Sequence, residues 1–333
     1  MTLQLSRPFI LLVLASTVVL GTAARSMAAA AAAESPLSGP VKFVVHVNPG
    51  SGADVFARFI AEIIRRERLL PAGVEVLNRG GASGAVAINY MAQRKADPTH
   101  LLSVTSFIVA TPLRNKELPS YKEFPPVATM AIDTNGIFVL ASGPHRTVKD
   151  LIDAARRKPK SVTSAFGVWG GTNHIIAHQL GKTTGVEFAY VIFKGGSEAS
   201  AALLGGHVDF TSDNPSEVRG HVEAGRLRAL AVVGDRRLPV FPEVATLKEL
   251  GYNLGPILPT FRGFVAAPGV SREVVDAYAA LLRKVTETAA WKRYIADNAL
   301  EEEFRGPSEM ATFLDHITDV YVRFNAEVGQ QKK

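Results

Sequence analysis

Three short glycine-rich segments carry the residue pattern best suited to holding an anion: Gly50-Ser51-Gly52-Ala53-Asp54, Gly80-Gly81-Ala82-Ser83-Gly84 and Gly170-Gly171-Thr172. Each is expected to leave the C-terminus of a strand and open a helix. The first N–H groups of a helix have no intrahelical partner, and the helix dipole adds partial positive charge there. Loops of this kind facing one another can cradle a carboxylate without a buried lysine or arginine. Any one of them could be only a tight βα turn. Three, spread over two halves of the chain, favour an anion site.

Other chemistries fit less well. The Gly50-Ser51-Gly52 loop has Val55 where a dinucleotide fingerprint needs its third glycine, and Asn78 stands where that motif places an acid. Gly181-Lys182-Thr183 has Ile176 at the first glycine position of a phosphate loop. No nucleotide cofactor is therefore expected. Ser83 has Gly81 before it but Ala85 after it, so a nucleophile elbow is incomplete. Ser51 or Ser83 working with His174 remains the alternative, a periplasmic serine hydrolase. His174 and His178 are four apart on an expected helix, but without a Glu-flanked motif or any cysteine they read as capping or buried histidines rather than metal ligands. Glu301-Glu302-Glu303 reads as solvated surface.

The elements that must position these loops follow from periodicity. Val41 to Val47 is a β-rich run, and Val55, Phe56, Phe59, Ile60, Ile63 and Ile64 then recur at helical spacing. Further strands are expected at 74–77 and 101–105, with a helix at 85–94 between them. The rhythm restarts with strands at 136–140, 161–165, 188–192, 208–211 and 229–233 and helices at 148–157, 173–183 and 197–204. Strand, loop and helix in alternation indicate α/β architecture with parallel sheets covered by helices. Helices at 271–288, 290–297 and 308–327 close the chain and are expected to pack back on the first half. The chain then crosses between domains twice, near Leu140 and near Phe261. Domain 1 is read as 40–140 plus 260–333, and domain 2 as 141–259.

Composition narrows the class. The 333 residues contain no cysteine, which excludes a disulfide scaffold, a thiolate metal site and a cysteine nucleophile. Arg7, the apolar stretch Phe9 to Leu20 and the alanine run ending at Ala33 have the three-part pattern of a secretory signal peptide. Its apolar stretch is too short for a membrane span. There are 37 Lys and Arg against 31 Asp and Glu, and removing residues 1–33 takes out Arg7 and Arg25, so the formal charge falls from +6 to +4. That dispersed excess suits a small anionic ligand, not nucleic acid.

An ordered set of motifs runs along the chain: Pro49-Gly50-Ser51-Gly52-Ala53-Asp54 with Ala57-Arg58, Asn78-Arg79-x-Gly81-Ala82-x-Gly84 and Gly171-Thr172-x-His174. Further on come Lys194-Gly195-Gly196, Leu204-Gly205-Gly206-His207-Val208-Asp209, Gly225-Arg226-Leu227-Arg228-Ala229-Leu230-Ala231-Val232, Pro242-Glu243-Val244-Ala245-Thr246 and Gly263-Phe264-x-Ala266-x-Pro268. In order and spacing this set resembles the solute receptors of tripartite tricarboxylate transporters, the Bug family. The resemblance implies a two-domain type II periplasmic-binding-protein fold, each domain a sheet flanked by helices, closing in the interdomain cleft over a carboxylated metabolite, whether a di- or tricarboxylate, an acidic amino acid or an aromatic acid. It implies no catalysis, no cofactor and a monomeric receptor that serves a membrane permease or, alternatively, a sensor protein. By position it points to Ser51, Ala53, Asp54, Ala82, Ser83 and Gly84 in the first domain, and to Gly171, Thr172, His174 and Asp213 in the second. Asp97-Pro98-Thr99-His100 departs from the family's usual turn with little expected effect on binding. Trp169 is bulky where the family usually has small residues, and stacks on a planar or aromatic ligand, shortens the pocket or anchors its loop by packing. Phe261 stands where the family commonly has Trp, as a hinge or core residue.

Overall fold

The structure is a computed structural model describing residues 37, 39–255 and 259–330; the expected signal peptide, residues 1–33, lies outside these. From Gly39 the chain forms one unit built on two sheets. The first contains β1 (Val41–Val45), β2 (Val74–Asn78), β3 (His100–Val104), β4 (Pro126–Asp133), β10 (Thr260–Ala266) and β11 (Glu301–Arg305), in the order β11-β4-β10-β3-β1-β2. β1 pairs in parallel with β2 and β3, whereas β10 runs antiparallel between β3 and β4. The second contains β5 (Asn135–Leu140), β6 (Thr163–Phe166), β7 (Ala189–Ile192), β8 (Phe210–Thr211) and β9 (Leu227–Val233), in the order β7-β6-β8-β5-β9. In both sheets the strand next to a crossing runs against the parallel group.

Helices α1 (Gly52–Arg66), α2 (Ala85–Ala92) and α3 (Phe107–Arg114) follow β1, β2 and β3. In the second lobe come α4 (Val148–Arg157), α5 (Thr172–Thr184), α6 (Gly196–Leu204) and α7 (Pro215–Glu223). The chain ends with α8 (Arg272–Glu287), α9 (Ala289–Asp297) and α10 (Pro307–Gln330), of which α8 and α10 pack on β4.

Two expectations are corrected. The chain passes from the first sheet to the second at Thr134, ahead of Leu140, because Asn135–Leu140 pairs with β8 and β9. The closing segment is not helical alone: β10 and β11 complete the first sheet. The acidic run, expected at solvated surface, has Glu301 and Glu302 exposed and forms strand β11 at a sheet edge, with Lys292 2.7 Å from Glu302 and Arg236 3.1 Å from Glu301. Charged residues suit an edge, where they block pairing with another chain. Phe261 is buried in β10, edge-to-face on Phe313 with ring centroids 5.4 Å apart. Asp97 folds back in its turn, accepting from Thr99 N and lying 2.9 Å from His100.

Packing explains the register of both lobes. In β5, Ile137 and Val139 enter a core with Leu151, Ile176, Leu180 and Phe210, while Phe138 between them faces a second core with Leu203, Val218 and Phe241. This is the period-2 alternation of a strand covered on both faces. In the first lobe Phe264 joins β10 to β1 and α1: its ring lies 4.6 Å from Phe43 and 6.2 Å from Phe56, which in turn meets Trp291 of α9. Truncating a buried phenylalanine removes transfer energy and leaves a cavity. Phe264→Ala is expected to destabilise by about 3–5 kcal/mol in denaturant unfolding; a loss below about 1 kcal/mol would show that this cluster is not the first lobe's anchor.

Candidate functional site

The N-termini of four helices converge between the lobes. Ser51, Gly52 and Ala53 open α1; Gly171, Thr172 and Asn173 open α5; Gly195 and Gly196 open α6; Asn214 and Glu217 belong to the start of α7. Together with His46, Thr105, Ser106, Thr260 and Arg262 they line a cavity of about 70 Å³, enough for a handful of ordered waters. The lobes touch across it. Asn48 Nδ2 donates to Glu198 Oε1 at 2.7 Å, and the Ser51 and Ser197 hydroxyls are 2.8 Å apart.

Five expected residues, Ser51, Ala53, Gly171, Thr172 and Asp213, line this cavity. Six do not. The Asp54 carboxylate, 2% exposed, turns back to accept from Gly50 N at 2.9 Å, Arg58 Nε at 3.0 Å and Asn78 Nδ2 at 2.8 Å. Burial opposes its ionisation, but these hydrogen bonds outweigh burial and hold the carboxyl below its ordinary range. Asp54 therefore braces the first loop from behind.

Ala82, Ser83 and Gly84 also lie away from the cavity. Gly81, Ala82, Ser83 and Gly84 have φ of 119°, 48°, 53° and 92°, a run of left-handed residues costing about 1–2 kcal/mol at each one that carries a Cβ. Thr111 Oγ1 donates to Ser83 O at 2.6 Å, and Trp169 N donates to Ser83 Oγ at 3.5 Å. The strained loop is thus a contact between lobes.

His174 is fully buried, with Nδ1 accepting from Gly170 N at 3.0 Å and its ring stacked on Phe166 at 4.5 Å. Burial, aided by the charges of His178 and Arg114, pushes its pKa down to about 3, so the ring is neutral. Neither Ser51 nor Ser83 hydrogen-bonds it. Trp169 packs on His174 at 4.4 Å and edge-on to Phe166, and the Arg114 guanidinium from the first lobe lies 4.8 Å from its ring centre. Trp169 thus makes packing contacts in both lobes and does not line the cavity.

The charged residues at the cavity floor were not found from sequence. Arg262 binds Asp133 through Nε at 2.9 Å and through Nη2, and both side chains are buried. Burial alone would lower the Arg262 pKa, yet Asp133 and Glu217 raise it, so it is cationic. Glu217 Oε1 lies 3.7 Å from Arg262 Nη2. Its carboxylate sits between two helix starts: a Cβ on Gly52 would lie 2.3 Å from Oε1, and one on Gly196 2.3 Å from Oε2. Asp213 accepts from Ser200 Oγ at 2.8 Å and Asn173 Nδ2 at 3.1 Å. Burial above all pushes the Asp213 and Glu217 carboxyls up, with Asp133 repelling Asp213, and Asp213 and Asp133 repelling Glu217. His46, stacked 3.7 Å from Phe107, is held neutral by burial, with its pKa near 3. One signal was available. Asn214-Pro215-Ser216-Glu217 has the spacing of a helix start whose Glu reaches back to the cap, but this Glu points into the cleft instead.

A carboxyl with a raised native pKa keeps a proton that the unfolded chain has released, so its contribution to stability falls as pH rises through that interval. For Glu217 the interval runs from about pH 4.5 to about pH 7. Glu217→Gln is expected to raise Tm relative to wild type at pH 8 by about 2–4 °C more than at pH 4. Thermal melts showing an equal difference at both pH values would contradict this placement of the carboxylate.

Comparison with known proteins gives a consistent result. Residues 56–319 match the model of the tripartite tricarboxylate transporter family receptor. The chain is 30% identical over 302 residues to the UPF0065 protein in the gbd 5′ region of Cupriavidus necator, covering 90% of each chain. It is 30% identical to protein BugT of Bordetella pertussis over 234 residues, covering 69% of this chain and 71% of BugT. Among solved structures, R. palustris Rpa4515 with adipate is 26% identical with a TM-score of 0.82, covering 88% of this chain and 98% of that one. The periplasmic binding protein BugD, 23% identical with a TM-score of 0.81 over the same shares, has the same fold. The two sheets with their flanking helices are therefore the two-domain α/β fold of periplasmic binding proteins, and the chain belongs to the tripartite tricarboxylate transporter receptor family.

Proposed function

We propose that this chain is a non-enzymatic periplasmic receptor that captures a small carboxylate in the cleft and delivers it to a membrane permease of the tripartite tricarboxylate type. The observation that carries this reading is the convergence of four helix N-termini, from both lobes, on one small cavity. Such N–H groups favour an anion. Two neighbours of the same fold are described with carboxylates: Rpa4515 with adipate, and MatC of Rhodopseudomonas palustris with bound malate. Ser51, Ala53, Gly171 and Thr172 hold the carboxylate in this reading, with Thr105 and Ser106 completing the first-lobe wall. Domain 1 is 40–134 with 260–330 and domain 2 is 135–259, hinged at the two crossings; closure follows from ligand contacts made in both lobes at once. Residues 1–33 serve as the signal peptide, and the receptor acts as a monomer. The serine hydrolase alternative has no support in the surroundings of His174.

The test is thermal stability of the refolded, ligand-stripped protein against carboxylates matched with their amides. A ligand at 100 times its Kd adds about 2.7 kcal/mol, so at least one acid is expected to raise Tm by about 5–10 °C while its amide does not. No shift with any acid, or equal shifts with acid and amide, would overturn the reading.

A further inference from the structure

We infer that the ligand of this cleft carries a protonated amine as well as a carboxylate, and that Glu217 is the residue that selects for the amine. The inference rests on the receptor reading above and deepens it. Its basis is the distribution of charge around the cavity. Two carboxylic acids, Asp213 and Glu217, line it, and among the described lining residues Arg262 is the one lysine or arginine. Arg262 is already committed to Asp133 through two of its nitrogens. His46, the histidine of the lining, is held neutral by burial. A ligand with two carboxylates would therefore bring a second negative group to a buried place that has negative charge in excess and no uncommitted cation. A buried charge without a partner is strongly unfavourable. An ammonium reverses that balance.

The position of Glu217 supports the same conclusion. Its carboxylate lies across the starts of α1 and α6, where an anionic group of the ligand would otherwise be drawn, so part of the anion-attracting surface already holds a carboxylate of the protein. Oε2 is buried and has no hydrogen-bond partner, and Glu217 itself lines the cavity. An ammonium offers three N–H donors and can satisfy Oε2 while leaving donors for a neighbouring carboxylate. Ser51 N, Gly171 N and Gly52 N are already engaged, by Asn48 O, Val168 O and the Glu217 carboxylate, but Ala53 of α1 and Thr172 and Asn173 of α5 keep helix-start N–H groups for the ligand's own carboxylate. The cleft thus divides into a donor part and an acceptor part, which matches a ligand with one group of each sign.

The experiment is calorimetric titration of refolded protein with pairs differing only in the amine: alanine and propionate, 4-aminobutyrate and butyrate, aspartate and succinate, glutamate and glutarate. In at least one pair the amine-bearing member is expected to bind at least about tenfold more tightly. Glu217→Gln is expected to weaken that member at least about tenfold and to leave its partner unchanged or tighter. Glu217→Ser supplies the same comparison if the glutamine variant fails to fold by circular dichroism. Preference for the amine-free acids, or a preference for amines that survives in the variants, overturns the role of Glu217 and leaves the receptor reading standing. Binding of no carboxylate of either kind overturns both.

Discussion

The ion pair between Arg262 and Asp133 is the interaction on which the cleft depends. Asp133 ends β4 and Arg262 lies in β10, so the pair sits where the chain leaves the first sheet and where it returns. A buried ion pair adds little net stability, but loss of one partner costs about 3–5 kcal/mol because the other charge stays buried. Here both charges have further partners. Ser216 Oγ donates to the Asp133 carboxylate at 2.9 Å, and Asn214 Nδ2 donates to the Asp133 carbonyl at 2.8 Å. Asn135 Nδ2 donates to Ser212 O at 2.8 Å, and Asn135 Oδ1 accepts from Thr260 Oγ1 at 3.2 Å. The start of α7, the crossing at Thr134 and the return at Thr260 are thereby tied into one buried polar network, which sets how the second lobe's helices face the first.

The same pair decides how an anion can be recognised. Because Arg262 is engaged by Asp133, a ligand carboxylate is left to backbone N–H groups and hydroxyls. Neutral donors form weaker bonds than a guanidinium fork does, which suits a receptor that must release its cargo when the lobes open. The cost of this arrangement is acidity at the floor, where burial raises both Asp213 and Glu217 and where Asp213 and Asp133 further raise Glu217. Asp54, by contrast, keeps its charge by turning away from the cleft toward Arg58 and Asn78.

The parts of the fold legible in the sequence were those with a period. The loops at Gly50 and Gly170 stood out because each separates a β-rich run from a helical one, and α4 was read with its observed ends. Segments buried on all sides gave no such signal. β4 (PVATMAID) is buried along almost its whole length, and β10 (TFRGFVA) throughout, so neither alternates. α3 is buried from Phe107 to Pro112 and contains a proline, which obscures helical spacing. Within the site, glycine and serine motifs marked Ser51 and Thr172. Arg262, Glu217 and His46 needed the fold, because each gains its role from partners distant in sequence. Trp169 is legible as unusual, but its contacts with Arg114 and His174 join residues distant in sequence and need the fold.

The most direct test of the central claim is a crystal structure of the protein bound to the carboxylate that stabilises it most. The account predicts that ligand carboxylate oxygens lie within hydrogen-bond distance of N–H groups at the starts of α1 and α5, with Arg262 still paired to Asp133. A structure in which the Arg262 guanidinium has left Asp133 to bind the ligand carboxylate would contradict it.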